Sequence, residues 1–267
     1  MRRLKRNLVI ISLVISSLLI SACGIRGNND FDYMQERNIM KVTIQSTRDK
    51  SYKFTVTDED VINDIYNILS SASVVEEKST LDPDYTLEIY ESPTEVKTFN
   101  YIAGLDKKDG GNLYNDSDKY IVSKRLDNDI IKNFANIRRP INFEYIYYTS
   151  ILNTVDKYLS DNKNVGKIGV NISDTMAERF QISTEIEEFK KKLNKLDSVS
   201  FMDSSESRED FDVVMRIKTE GYTSTKYKGI VTFEKTENAS TVNYYISNIY
   251  EQGDWKFNIS DKKPEGF

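Results

Sequence analysis

Apolar and polar positions alternate or recur at helical intervals along most of this chain, and the pattern sets out an order of elements. Residues 8–20, "LVIISLVISSLLI", are apolar and follow the basic stretch "MRRLKRN". Residues 24–38, "GIRGNNDFDYMQERN", are polar, and this composition predicts a tether. From Ile39 the period becomes two: Met40, Val42 and Ile44 share one face, and Tyr52, Phe54 and Val56 share another, with "RDKS" between them as a hairpin turn. Val61, Ile62, Ile65, Ile68 and Leu69 then fall at helical spacing, behind Thr57 and Asp58 as candidate N-caps and acids suited to a helix N-terminus. "DYTLEIYE" and "EVKTFNYIAG" predict a second hairpin, "DKYIVSKRL" a short strand, and "DNDIIKNFANI" a closing helix with Ile130, Ile131 and Phe134 inward. The chain breaks at "RRP", Arg138 to Pro140.

The second half opens with a long helical pattern over Phe143, Ile146, Tyr147, Ile151, Val155 and Leu159. "ISDTMAERF" predicts a shorter helix, and "STEIEEFKKKLNKL" a further one, with Thr184 and Glu187 as a capping box and Lys190 to Lys192 facing water. Four alternating runs follow, "FDVVMRIK", "KYKGIVTFEK", "TVNYYISNIYE" and "DWKFNIS", with "DSVSFMDS" as one more strand ahead of them. The expectation is an α+β protein of two domains, residues 39–139 and 140–267, each an antiparallel sheet with packed helices. They stand after a cleaved leader, residues 1–22, and a tether, residues 23–38.

Composition narrows the chemistry. Of 267 residues none is histidine and one, Cys23, is cysteine. A Ser-His-Asp or Cys-His constellation needs an imidazole and is excluded, as are the common zinc sites. The 37 basic residues less Arg2, Arg3, Lys5 and Arg6 leave 33 against 42 acids, a net charge of −9 for the body after the leader. Such a body does not suit unspecific nucleic-acid binding. A calcium loop around Asp106, Asp109 and Gly110 fails, because Lys107 and Lys108 intervene and the terminal Glu is missing. Neither a GxSxG elbow nor a phosphate loop nor a dinucleotide fingerprint is present. No catalytic residue, metal or cofactor is expected.

The N-terminus carries the sharpest signal. A basic start, a 13-residue apolar run and the small residues Ser21 and Ala22 before Cys23 read as a secretory signal too short to span a bilayer. "ISAC" resembles the lipobox of bacterial lipoproteins, which implies cleavage before Cys23, a diacylglyceryl group on its sulfur, and anchoring in the cell membrane on the extracytoplasmic face. "DPDYTLEIYE", "YIAG" and "DKYIVSKRLDNDIIKNF" resemble the YhfM-like domain of Gram-positive lipoproteins, with Val122 where Leu is usual and no Trp in the middle element. That family brings no catalytic residues to carry over. The order of helix then meander in the second half is similar to the cystatin-like, nuclear-transport-factor-like cone fold, a scaffold that hosts enzymes and binding modules alike.

The aromatics supply the candidate contact surface. "YIYY" and "NYYIS" place tyrosines on both faces of their elements, so that Tyr145 and Tyr148, joined by Tyr222 and Tyr245 around the open end of the sheet, could offer rings with polar tips suited to binding; the commoner role of such tyrosines, and the favoured one, is to complete the core and cover sheet surface. The expected function is a non-enzymatic binding or accessory lipoprotein that meets an envelope protein or a small ligand. The alternatives are a carboxylate-dependent envelope hydrolase and a solute-binding transporter subunit, the last disfavoured because no repeated βαβ pattern is present.

Overall fold

The computed structural model describes residues 29–105, 109–135 and 139–267. The leader, Cys23, Asp106 and Arg138 lie outside them, as does the side chain of Phe134.

The fold is α+β, with two sheets, each carrying its own core. The first sheet has the order β2-β1-β4-β5-β6-β7-β3, every ladder antiparallel. Its strands are β1 (Lys41–Ser46), β2 (Lys53–Val56), β3 (Ser73–Val74), β4 (Tyr85–Tyr90), β5 (Val96–Tyr101), β6 (Leu113–Tyr114) and β7 (Lys119–Ile121). β4 keeps the alternation read from sequence, with Tyr85, Leu87 and Ile89 buried. The expected helix is α2 (Glu59–Leu69), capped by Asp58, whose Oδ1 accepts from the Val61 N–H at 3.1 Å. Ile62, Ile65, Ile68 and Leu69 face the core.

Two features of this half depart from expectation. Of the stretch read as a tether, the part from Asn29 on is folded: a 3₁₀ turn over Asn29–Phe31 and α1 (Tyr33–Glu36) bury Phe31 and Met34 in the first core, and residues 23–28 lie outside the described residues. Phe31 packs its ring 5.1 Å from that of Tyr120 and 5.7 Å from that of Phe99, so two apolar residues in a polar stretch were enough to fold it. The closing helix is in fact a π-helical turn over Leu126–Ile131, continued by α3 (Lys132–Ala135).

The second sheet has the order β13-β12-β11-β10-β8-β9, with β14 on β12. β8 (Ile168–Asn171), β9 (Val199–Phe201), β10 (Val213–Tyr222), β11 (Lys226–Lys235), β12 (Thr241–Glu251), β13 (Asp254–Lys256) and β14 (Ile259–Ser260) make it up. It is mixed rather than wholly antiparallel, because β8 pairs parallel with both β10 and β9. α4 (Phe143–Asp161) covers one face. Its Tyr158 stacks on Phe233 of β11 at 3.9 Å between centroids, and Asn248 of β12 donates to its Ser150 Oγ at 2.8 Å. The indole of Trp255 donates to the Ile141 carbonyl at 2.9 Å and ties the last hairpin to the start of α4. "ISDTMAERF" forms only a 3₁₀ turn at Glu178–Phe180, ahead of α5 (Ser183–Leu193).

Candidate functional site

The segment Arg179–Thr184 of the second half lies against the first, and the seam between them is the most chemically concentrated place in the described residues. The anchor is Asp84, at the start of β4 and almost wholly buried. Its Oδ1 accepts from Arg48 Nη1 at 2.5 Å and from the Ser183 N–H at 2.8 Å; its Oδ2 accepts from the Ala103 N–H at 2.8 Å. Asp84 thus caps α5 from the other half of the chain, which corrects the expected capping box. Ile182 holds the N-cap position without a side-chain acceptor, and Thr184 Oγ1 turns away to donate to the Ala103 carbonyl at 3.3 Å. Burial pushes the Asp84 carboxyl upward, and Arg48 opposes the shift.

Arg48 also donates to Ser183 Oγ at 2.6 Å, and that hydroxyl donates to the Asp82 carbonyl at 2.8 Å. Arg179 pairs with Asp49 at 3.1 Å. Gly104 completes the close approach: its φ is +73°, and a Cβ there would come within 2.9 Å of Thr184 Oγ1.

Beside this network is a cleft of two small chambers. The inner one, about 100 Å³, is lined by Asp127, Lys132, Arg139, Glu144, Arg179 and Glu185 together with the ring of Phe180. The outer one, about 160 Å³, is lined by Glu144, Tyr145, Tyr148, Glu185, Phe189 and Lys192. Glu144 of α4 and Glu185 of α5 belong to both.

The acids here are not equivalent. Asp127, set by the π-helical turn, accepts from the Tyr101 hydroxyl at Oδ1 and from the Gly104 N–H at Oδ2, each at 2.7 Å, so both its oxygens are partnered within the fold. Glu185 Oε2 is buried with no hydrogen-bond partner, and so are Arg179 Nε and the Tyr148 hydroxyl. Burial first, and then Glu144, push the Glu185 carboxyl up to about 8, against the pull of Arg139. Near neutral pH it is therefore largely protonated and able to donate.

Three of the four tyrosines singled out from sequence lie near this cleft. Tyr145 is exposed and lines the outer chamber, its ring 5.8 Å from Phe257. Tyr148 also lines that chamber but is buried, its ring 4.9 Å from Phe189 and its hydroxyl enclosed without a partner. Tyr222 backs the inner chamber through Phe180, ring centroids 5.7 Å apart. Tyr245 lies elsewhere, against Phe267. Sequence reasoning missed Glu144, Glu185, Arg139 and Arg179, since charged residues on amphipathic helices and in loops give no local signal of burial. Among the described residues, no group of three or more acids or thiols could hold a metal ion, and no helix is long and apolar enough to cross a membrane.

Residues 35–140 match the family model described as YhfM protein, so the first half is a YhfM-like domain. No curated protein matches the chain, and no solved structure matches it.

Proposed function

We propose that this protein is a lipid-anchored, extracytoplasmic lipoprotein of the cell membrane that acts as a non-enzymatic binding or accessory protein in the envelope. Location rests on the sequence of residues 1–24: basic start, short apolar run, small residues and a lone cysteine agree on a lipidation site at Cys23. The binding role rests on one observation, the seam cleft, among whose lining residues Glu185 Oε2, Arg179 Nε and the Tyr148 hydroxyl are buried without a partner. An acidic body without histidine fits contact with proteins or small molecules better than with nucleic acid. The second half is read as cone-like, with α4 lying against the sheet; that scaffold is compatible with binding.

The test of the anchor is a Cys23→Ala variant in living cells. It is expected to lose labelling by a radioactive fatty acid and to accumulate as unprocessed precursor. Unchanged labelling and processing would refute the lipobox reading.

A second reading, a carboxylate-dependent hydrolase, is favoured by one feature, the shared wall of Glu144 and Glu185. It requires turnover of an envelope polymer that both Glu→Gln variants lose.

A further inference from the structure

The two chambers of the seam differ in what they offer. The inner one has Arg139, which makes no ion pair among the described residues, Arg179, which keeps Asp49 at 3.1 Å on one Nη while its Nε is buried and unpartnered, and beside them Lys132 and the already bonded Asp127. The wall between the chambers has Glu144 and Glu185, the latter with its Oε2 unpartnered. The outer chamber is lined by the rings of Tyr145, Tyr148 and Phe189 and by Lys192, with the Tyr148 hydroxyl enclosed and unpartnered. A guanidinium end, a carboxyl wall and an aromatic vestibule follow one another. Volumes of about 100 and 160 Å³ suit a metabolite-sized molecule and fall short of the roughly 300–1,000 Å³ of drug-sized sites.

We propose that this cleft binds a small zwitterion, a free α-amino acid or a dipeptide. Its carboxylate lies at Arg139 and Arg179, its ammonium at Glu144 and Glu185, and its side chain in the outer chamber. Guanidinium groups suit a carboxylate through paired donors, and a carboxyl wall suits an ammonium. The inference rests on the binding reading above and names its ligand class.

Binding has a proton signature. Glu185 faces Glu144 from α4, Arg139 from the chain before α4, Asp84 from the start of β4 and Lys132 from α3. A ligand ammonium placed beside it favours the ionised form, so Glu185 gives up its proton to the buffer on binding near pH 7.

The experiment is isothermal titration calorimetry on the full chain in detergent, in two buffers of different ionisation heat. The probes are glycine, L-alanine, L-leucine, L-glutamate and alanylalanine, with N-acetylalanine and alanine methyl ester as controls lacking one charge. At least one probe is expected to bind at one site, with heats that differ between the buffers. Both controls should fail. Arg139→Ala and Glu185→Gln should each weaken binding by more than about tenfold, and Glu185→Gln should remove the buffer dependence. No saturable binding of any probe up to ~10 mM overturns the proposal. So does affinity retained in both variants, or a control that binds as well as its parent. Far-ultraviolet circular dichroism of the variants excludes unfolding as the cause of a loss. Preference for the dipeptide over the free amino acids assigns the site to peptide ends. Failure here with normal labelling of Cys23 removes the ligand and leaves the anchor; lost labelling with intact binding does the reverse.

Discussion

At the scale of single residues, Glu185 departs most from ordinary behaviour. Its carboxyl is held up to about 8 in the fold, against an ordinary 4.5 in the unfolded chain. Between those values the unfolded state has released a proton that the folded state keeps. The unfolded state is therefore increasingly favoured as pH rises, and the loss levels off above about 8. Thermal melts from about pH 5 to pH 9 should show the native protein losing stability relative to Glu185→Gln across that window. Parallel curves for the two proteins would remove Glu185 as the source. Little of this was legible in the sequence: "TEIEEF" offers three acids and a helical period, and nothing in it marks Glu185 as the one placed in a cleft. Tyr148 fared similarly, since its neighbour Tyr147 occupies the core-facing position and Tyr148 is buried by α5 from outside the local pattern.

Among the elements, α2 was fully legible, because both its spacing and its cap are local to fourteen residues of sequence. α5 was legible in its body, with Phe189 and Leu193 inward as the stripe implied, and illegible at its start. Its capping carboxylate comes from Asp84, 99 residues away. Removing that group leaves the Arg48 charge, the Ser183 N–H and the Ala103 N–H without their acceptor. Asp84→Ala should therefore cost about 3–5 kcal/mol, read as a lower urea midpoint at constant slope. A cost under ~1 kcal/mol would mean water replaces the carboxylate freely. β8 was missed altogether. "IGVN" is four residues long, contains Gly169, and has no alternation to betray it. Its parallel partners, β10 and β9, are distant in sequence, and such pairing leaves no local trace.

For the whole molecule, the division into two sheet-bearing halves was readable from the break at Pro140 and the restart of helical spacing at Phe143. That the halves interlock was not, because the seam is made of side chains whose partners lie in the other half. Polar contacts across it through Asp84, Arg48, Ser183 and Thr184 couple the two cores. Differential scanning calorimetry should therefore give one heat-absorption peak for the native chain. Gly104→Val combines a β-branched side chain with a positive φ and a clash against Thr184. It should prise the seam and split the transition into two, with the circular dichroism of both halves retained at low temperature. Two peaks in the unaltered protein would show that the halves unfold independently.

The early folding of the chain, with Phe31 already inside the first core, sets a geographical limit. From Cys23 to Asn29 there are six peptide steps, and six steps of at most 3.6 Å reach about 20 Å. If Cys23 carries the lipid proposed above, that reach is the longest leash the first half could have. An anchor at that distance would confine the first half to the layer that begins at the headgroups, and whatever it met would have to come down to it there.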